Sequence, residues 1–184
     1  MAVQIGVRPG SAGAVDLLLE CHARIRHFIS VARRLAAARG LPEAEVAEAA
    51  AGVRRYLAEA LPLHAADEEE SMAPRLRGRD PALDGALSVM RREHQSHGMR
   101  IEPVVALCAE LAAAPGRLPD LAPRLAEAAE QLERHFAPHL ALEEETLFPA
   151  LKRVLDPAGE ARMVAEMRAR RAGATPTPAP RRKG

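Results

Sequence analysis

Tryptophan is absent from this 184-residue chain, and three Phe and one Tyr are its only benzenoid side chains. With β-branched residues also sparse, strands have little to pack with. Two cysteines, Cys21 and Cys108, make neither a disulfide framework nor a zinc-knuckle spacing, so both are expected as reduced thiols in a cytoplasmic protein. No run of 18 uncharged apolar residues exists, and residues 1–13 lack the basic start and apolar core of a secretory signal. A formal net charge of +1 gives no electrostatic reason to expect a nucleic acid or a membrane as partner. What remains is a chain rich in Ala, Leu, Arg and Glu, the residues that enter helices at least cost.

Its helical segments are separated by Gly and Pro. Breaks fall at Gly40-Leu41-Pro42-Glu43, Arg77-Gly78-Arg79-Asp80-Pro81, Pro115-Gly116-Arg117-Leu118-Pro119 and Asp156-Pro157-Ala158-Gly159. They predict long helices over about 14–39, 43–76, 81–114 and 119–155, and a shorter one over about 158–171. Short links between long helices imply an all-α, up-down-up-down antiparallel four-helix bundle. The expected organisation is the bundle over 12–156, a short C-terminal helix over 157–171, and a disordered, basic, Pro-rich tail over 172–184. Pro62, Pro103 and Pro138 sit inside helices and are expected to kink or locally unwind them.

One phrase occurs twice. Leu61-Pro62-Leu63-His64 leads to Glu68 and Pro74, and Phe136-Ala137-Pro138-His139 leads to Glu143 and Pro149. Each copy has Glu four residues and Pro ten residues after its His, so imidazole and carboxylate share a helix face. Two further histidines, His22 and His94, complete a pattern. In antiparallel neighbours, two residues are level when the turn lies midway between them. The midpoint of 22 and 64 is residue 43, that of 64 and 94 is residue 79, and that of 94 and 139 is about residue 116, each at or inside a break. One histidine from each helix therefore falls at one level, with Glu68 and Glu143 approaching from opposite sides. Four imidazoles and two carboxylates suit a pair of first-row transition-metal ions.

At these residues the chain resembles the hemerythrin-like, or HHE cation-binding, family: His on helix 1, His-x-x-x-Glu on helix 2, His on helix 3 and His-x-x-x-Glu on helix 4, closed by Glu145-Thr146-Leu147-Phe148-Pro149. The resemblance covers about residues 12–156. It implies a non-haem di-iron centre with His22, His64, Glu68, His94, His139 and Glu143 as ligands and the two glutamates bridging. It also implies O2, nitric oxide or peroxide as the small ligand and a redox partner of unknown identity. Oxygen-carrying hemerythrins have His-x-x-x-His on helix 3, where this chain has Gly98 four residues after His94, and a carboxylate five residues after the helix 4 His, where this chain has Glu144. The four-His, two-Glu set is closer to the branch that includes iron–sulfur-cluster repair and nitric-oxide-handling proteins. A redox enzyme or an iron-donating repair factor is therefore the alternative reading.

Other residues have two readings each. His97 follows His94 by three and is a further ligand or an ordinary helix histidine; His135 precedes His139 by four and is a further ligand, a supporting hydrogen-bond partner, or an ordinary helix histidine. His27 is turned off the inward face. Cys21 is about 100° from His22 around the helix and reads as a packing residue. Tyr56 is either a buried hydroxyl bonding a backbone carbonyl or a pocket residue. Glu69, Glu70, Glu144 and Glu145 read as solvated faces of acidic runs. Leu17, Leu18, Ile25, Phe28, Leu132, Phe136, Leu140, Leu147 and Phe148 are the expected core.

Overall fold

The computed structural model describes residues 12–173, which form helices and no strand. The first helix, α1, is Ala14–Ala37. The second, α2, spans 43–76 and is α-helical except for wide π-type turns at Tyr56–Ala60 and Asp67–Met72. Pro81–Ala113 is α3. After a 3₁₀ turn at Pro115–Arg117, α4 spans 118–154, with one π-type turn at Glu143–Leu147. The last helix, α5, is Pro157–Gly173. These limits lie within two residues of those expected. Ala172 and Gly173 continue α5 instead of beginning a tail. The rest of the tail, 174–184, lies outside the described residues, as do residues 1–11.

The breaks have local causes. Gly40 and Gly78 take φ of +69° and +73°, a backbone region that any Cβ makes costly. The Asp80 side chain then accepts a hydrogen bond from the Ala82 backbone N–H (2.6 Å), and Pro81 occupies the first helical position, where its missing N–H is not needed.

Helix α1 packs on α2 and α4, and α3 packs on the same two. The apolar interior divides into two clusters. One holds Ile25, Leu57, Leu61, Leu111, Leu132, Phe136 and Leu140. The other holds Leu18, Met72, Met90, Leu147, Phe148 and, from α5, Met163 and Met167. Each fully buried Leu, Met or Phe contributes roughly 1.5–3 kcal/mol. Of the expected core residues, Leu17 and Phe28 are only partly buried against these clusters, and the other seven are buried. Between the clusters lies a layer of buried polar side chains. No helix among the described residues is long and apolar enough to cross a membrane.

Candidate metal centre

Both copies of the repeated phrase contain a wide turn, and its cause is local. In α2 the Ala73 N–H bonds back five residues to the Glu68 carbonyl, and in α4 the Phe148 N–H bonds back to that of Glu143. The next residue in each case is proline, Pro74 or Pro149, which has no N–H and crowds the carbonyl four residues back. Widening the turn relieves that crowding. The Tyr56–Ala60 turn ends in the same way, one residue short of Leu61-Pro62. Pro103 and Pro138, by contrast, lie within continuous α-helix, where loss of one N–H bond leaves the rest of the ladder in register. Such single wide turns recur at functional sites because they re-aim consecutive side chains.

The structure brings all six expected residues into one cluster. His22, His64, Glu68, His139 and Glu143 are at most 3% exposed, and the His94 side chain is 5% exposed. Each carboxylate reaches both sides of the cluster. Glu68 Oε1 lies 3.1 Å from His64 Nε2 and 3.6 Å from His22 Nε2, and its Oε2 lies 3.4 Å from His94 Nε2. Glu143 Oε2 lies 3.1 Å from His22 Nε2, while its Oε1 lies 3.4 Å from His139 Nε2 and 3.8 Å from His94 Nε2. The donor atoms fall into two groups, His22/His64/Glu68/Glu143 and Glu68/His94/His139/Glu143, each with its atoms within 4.8 Å of one another.

The outer ring nitrogens are held by three carboxylates, two of which, Glu69 and Glu144, belong to the acidic runs expected to be solvated. Nδ1 of His94 donates to Glu69 Oε1 (2.8 Å), and Nδ1 of His22 donates to Glu144 Oε1 (2.8 Å). Thus the second Glu of each acidic run supports the histidine of a neighbouring helix. Arg26 in turn clamps both oxygens of Glu144, at 2.7 and 3.0 Å. Nδ1 of His139 donates to Glu93 Oε2 (2.9 Å), and Glu93 immediately precedes His94. The counterpart position, immediately before His22, is Cys21, and it is Cys21 that faces His64. The clue available in the sequence was adjacency: each supporting residue is next to a member of the six.

Cys21 is accordingly more than packing. Its Sγ also accepts from Arg171 Nη2 of α5 at 3.7 Å. Burial pushes the thiol up, but His64 and Arg171 outweigh that and bring it below the ordinary 9.0. Arg171 and Arg170 each reach the fully buried Asp67 at 2.7 Å, fastening α5 to the turn that carries Glu68. Tyr56 donates to the Cys21 carbonyl (3.1 Å), the first of its two expected roles.

Burial opposes charge throughout the layer, and partners decide which group keeps it. Burial would raise the Glu68 carboxyl, but the charge of His64 and the close approach of the His22, His64 and His94 imidazoles hold it well below 4.5. Burial and the charge of Glu68 push Glu143 up to about 7. Burial would lower His22, yet Glu143 and Glu68 raise it to about 9. His139 is pushed down to about 4, chiefly by burial.

His97 is buried beside His94 and His139, with ring centroids 5.1 and 4.6 Å away, and His135 is next to it at 5.0 Å. His27 is exposed and edges Phe28, apart from the cluster.

A cation fits this cluster by a simple test. His22 Nε2, both nitrogens of His64, His94 Nε2 and all four carboxylate oxygens of Glu68 and Glu143 are buried with no hydrogen-bond partner. Buried polar atoms are rarely left so, because each costs about 1–3 kcal/mol. Nitrogen and oxygen donors converging from all four helices are the set that transition-metal ions take. The profile of the hemerythrin HHE cation-binding domain matches residues 13–106 and again 100–173. No curated protein matches the chain.

Proposed function

The chain belongs to the hemerythrin HHE cation-binding domain family, and from that premise we propose that it is a non-haem di-iron protein that binds or senses O2, nitric oxide or peroxide. The observation that carries the two-ion reading is the span of the carboxylates: Glu68 and Glu143 each turn one oxygen toward His22 or His64 and the other toward His94 or His139. In this reading His22 and His64 hold one ion, His94 and His139 hold the other, and both glutamates bridge. Each ion would have four protein donors. Iron supplies redox activity and a coordination position open to a small ligand.

The rest of the site fits that role. Glu144, Glu69 and Glu93 orient three of the imidazoles and keep Nε2 as the inward donor. Phe148 lies against His22 at 4.9 Å, and Phe136 against His97 at 4.5 Å. These rings wall the six buried side chains with apolar surface, a setting that suits a small ligand. The helices are read as running up-down-up-down. Supporting this, Arg26–Glu144 and Arg33–Glu133 pair α1 with α4 as their numbers run in opposite directions. A cytoplasmic setting with a separate electron donor completes the proposal.

The test is spectroscopic. Protein loaded with ferrous iron under anaerobic, reduced conditions is expected to change its near-ultraviolet and visible absorption on exposure to O2, nitric oxide or hydrogen peroxide. An unchanged spectrum with all three would sink the ligand-binding role.

A further inference from the structure

Of the three histidines outside the six-residue set, His27 lies apart, and the placement of the other two is directional. His97 is 7% exposed, and its Nε2 has no hydrogen-bond partner; the same is true of Nε2 of His135, which is half-buried at the surface. The rings touch in sequence from the half-buried His135 inward. His135 to His97 is 5.0 Å between centroids, and His97 to His139 is 4.6 Å.

His97 belongs to a group of its own. Donor atoms of His94, His97 and His139 lie within 4.8 Å of one another, but His97 shares no such group with Glu68 or Glu143 among the described residues. Ligands of a single ion at about 2.1 Å must all lie within about 4.2 Å of each other. An ion on the three imidazoles therefore sits outward of one held by the carboxylates. The two positions have His94 and His139 in common. The outer one offers only neutral donors; the inner one adds carboxylate charge, so transfer inward is favourable.

Among the described residues no histidine continues outward on the other side of the centre. There His22 backs onto Phe148 and onto Glu144, whose carboxylate Arg26 clamps, and His64 backs onto Cys21, with the Arg171 cation behind it. At the His135 end, Glu93 has a side chain 30% exposed and supplies negative charge. Arg100 also acts on His135 there and opposes it, while its Nη1 donates to Gln131 Oε1 at 3.4 Å.

We infer that His94, His97 and His139 form an outer site for a divalent transition-metal ion, which His135 receives from solvent and from which the ion passes to the carboxylate-bridged centre. The inference rests on the metal-centre reading above. A residue on the route alters uptake and release by the same factor and leaves equilibrium binding unchanged. A permanent ligand alters equilibrium binding.

The experiment uses the full chain and ferrous ion alone, without oxygen. A ferrous chelator added at timed intervals measures uptake, and the same chelator added to loaded protein measures release. His97→Ala is expected to slow both by about tenfold, equivalent to a barrier roughly 1.4 kcal/mol higher, with iron per chain and the loaded spectrum unchanged. His135→Ala, at a half-buried position that folding tolerates, is expected to slow both by a smaller factor. Wild-type rates in both variants would overturn the inference. So would lower iron content or an altered loaded spectrum in His97→Ala, which would make His97 a permanent ligand. A wild-type chain that takes up no iron would overturn the metal-centre reading itself, and this inference with it.

Discussion

The two halves of the buried cluster have the same inward donors and different backing. On one side His94 and His139 are each tied by Nδ1 to a carboxylate, Glu69 and Glu93. On the other, His22 is tied to Glu144, but His64 faces the Cys21 thiol. The first half continues through His97 and His135 to the surface. The second is closed by Phe148 and by α5, through Arg171. A duplicated motif thus repeats the donors that a pair of ions needs, and leaves their supports free to diverge. Supports set ring orientation and donor strength, so the two halves should differ in how tightly and how quickly they bind a metal.

The largest effect should come from removing what the halves share. Glu68→Ala is expected to bring bound iron near zero per chain, because Glu68 touches both sides. His64→Ala should spare the other half and leave about one iron per chain. Metal analysis after gel filtration distinguishes these outcomes, and equal losses would erase the distinction between a shared and a one-sided residue.

The difference in backing predicts the next effect. Glu93→Ala should weaken binding in its half by about 10- to 100-fold, the usual cost of losing a carboxylate behind a ligating histidine. Cys21→Ala should cost less, since the thiol lies against His64 without a hydrogen bond to either ring nitrogen, whereas Glu93 accepts one from His139. Chelator competition with each variant checks the order; a larger loss for Cys21→Ala would reverse the comparison.

A pH effect separates the empty cluster from the loaded one. In the metal-free chain His22 is raised from 6.5 to about 9, so the stability it supplies is complete below 6.5 and lost as pH climbs through about 9. Glu143, raised from 4.5 to about 7, works in the same direction: folding holds a proton that the unfolded chain releases, at a growing cost as pH rises. His139 and His97, both lowered, weaken the fold only below 6.5. A loaded centre needs these protons gone. Melting curves with and without metal should therefore diverge between pH 6.5 and 9. A constant gap would show that the cluster does not titrate in this way.

The smallest effect should come from the α5 side. Arg171→Ala removes one of two arginines on Asp67, and is expected to cost about 1 kcal/mol in chemical denaturation, because Arg171 is over a third exposed and Arg170 still holds the same carboxylate. A loss of several kcal/mol would make α5 a structural part of the centre.

Much of this arrangement is visible in the chain itself, for a geometric reason. Helical rise is fixed, so the positions of the breaks bring His22, His64, His94 and His139 to one level, and the four-residue spacing brings Glu68 and Glu143 beside them. Rotation about the helix axis is less legible. Glu69 and Glu144 read as solvated because an ideal α-helix turns them about 100° from the inward glutamates. The wide turns ahead of Pro74 and Pro149, and the closeness of α3 and α1, instead put them within reach of His94 and His22. Cys21 and His97 depend on which neighbour lies across the interface, and spacing along one helix does not encode that.

In the proposed centre the repeat builds two ion positions that share Glu68 and Glu143. The decisive number is the iron content of the full chain, loaded with excess ferrous ion without oxygen and then freed of unbound metal. About two irons per chain is the expected result. One per chain would contradict the pairing, and none would contradict the centre.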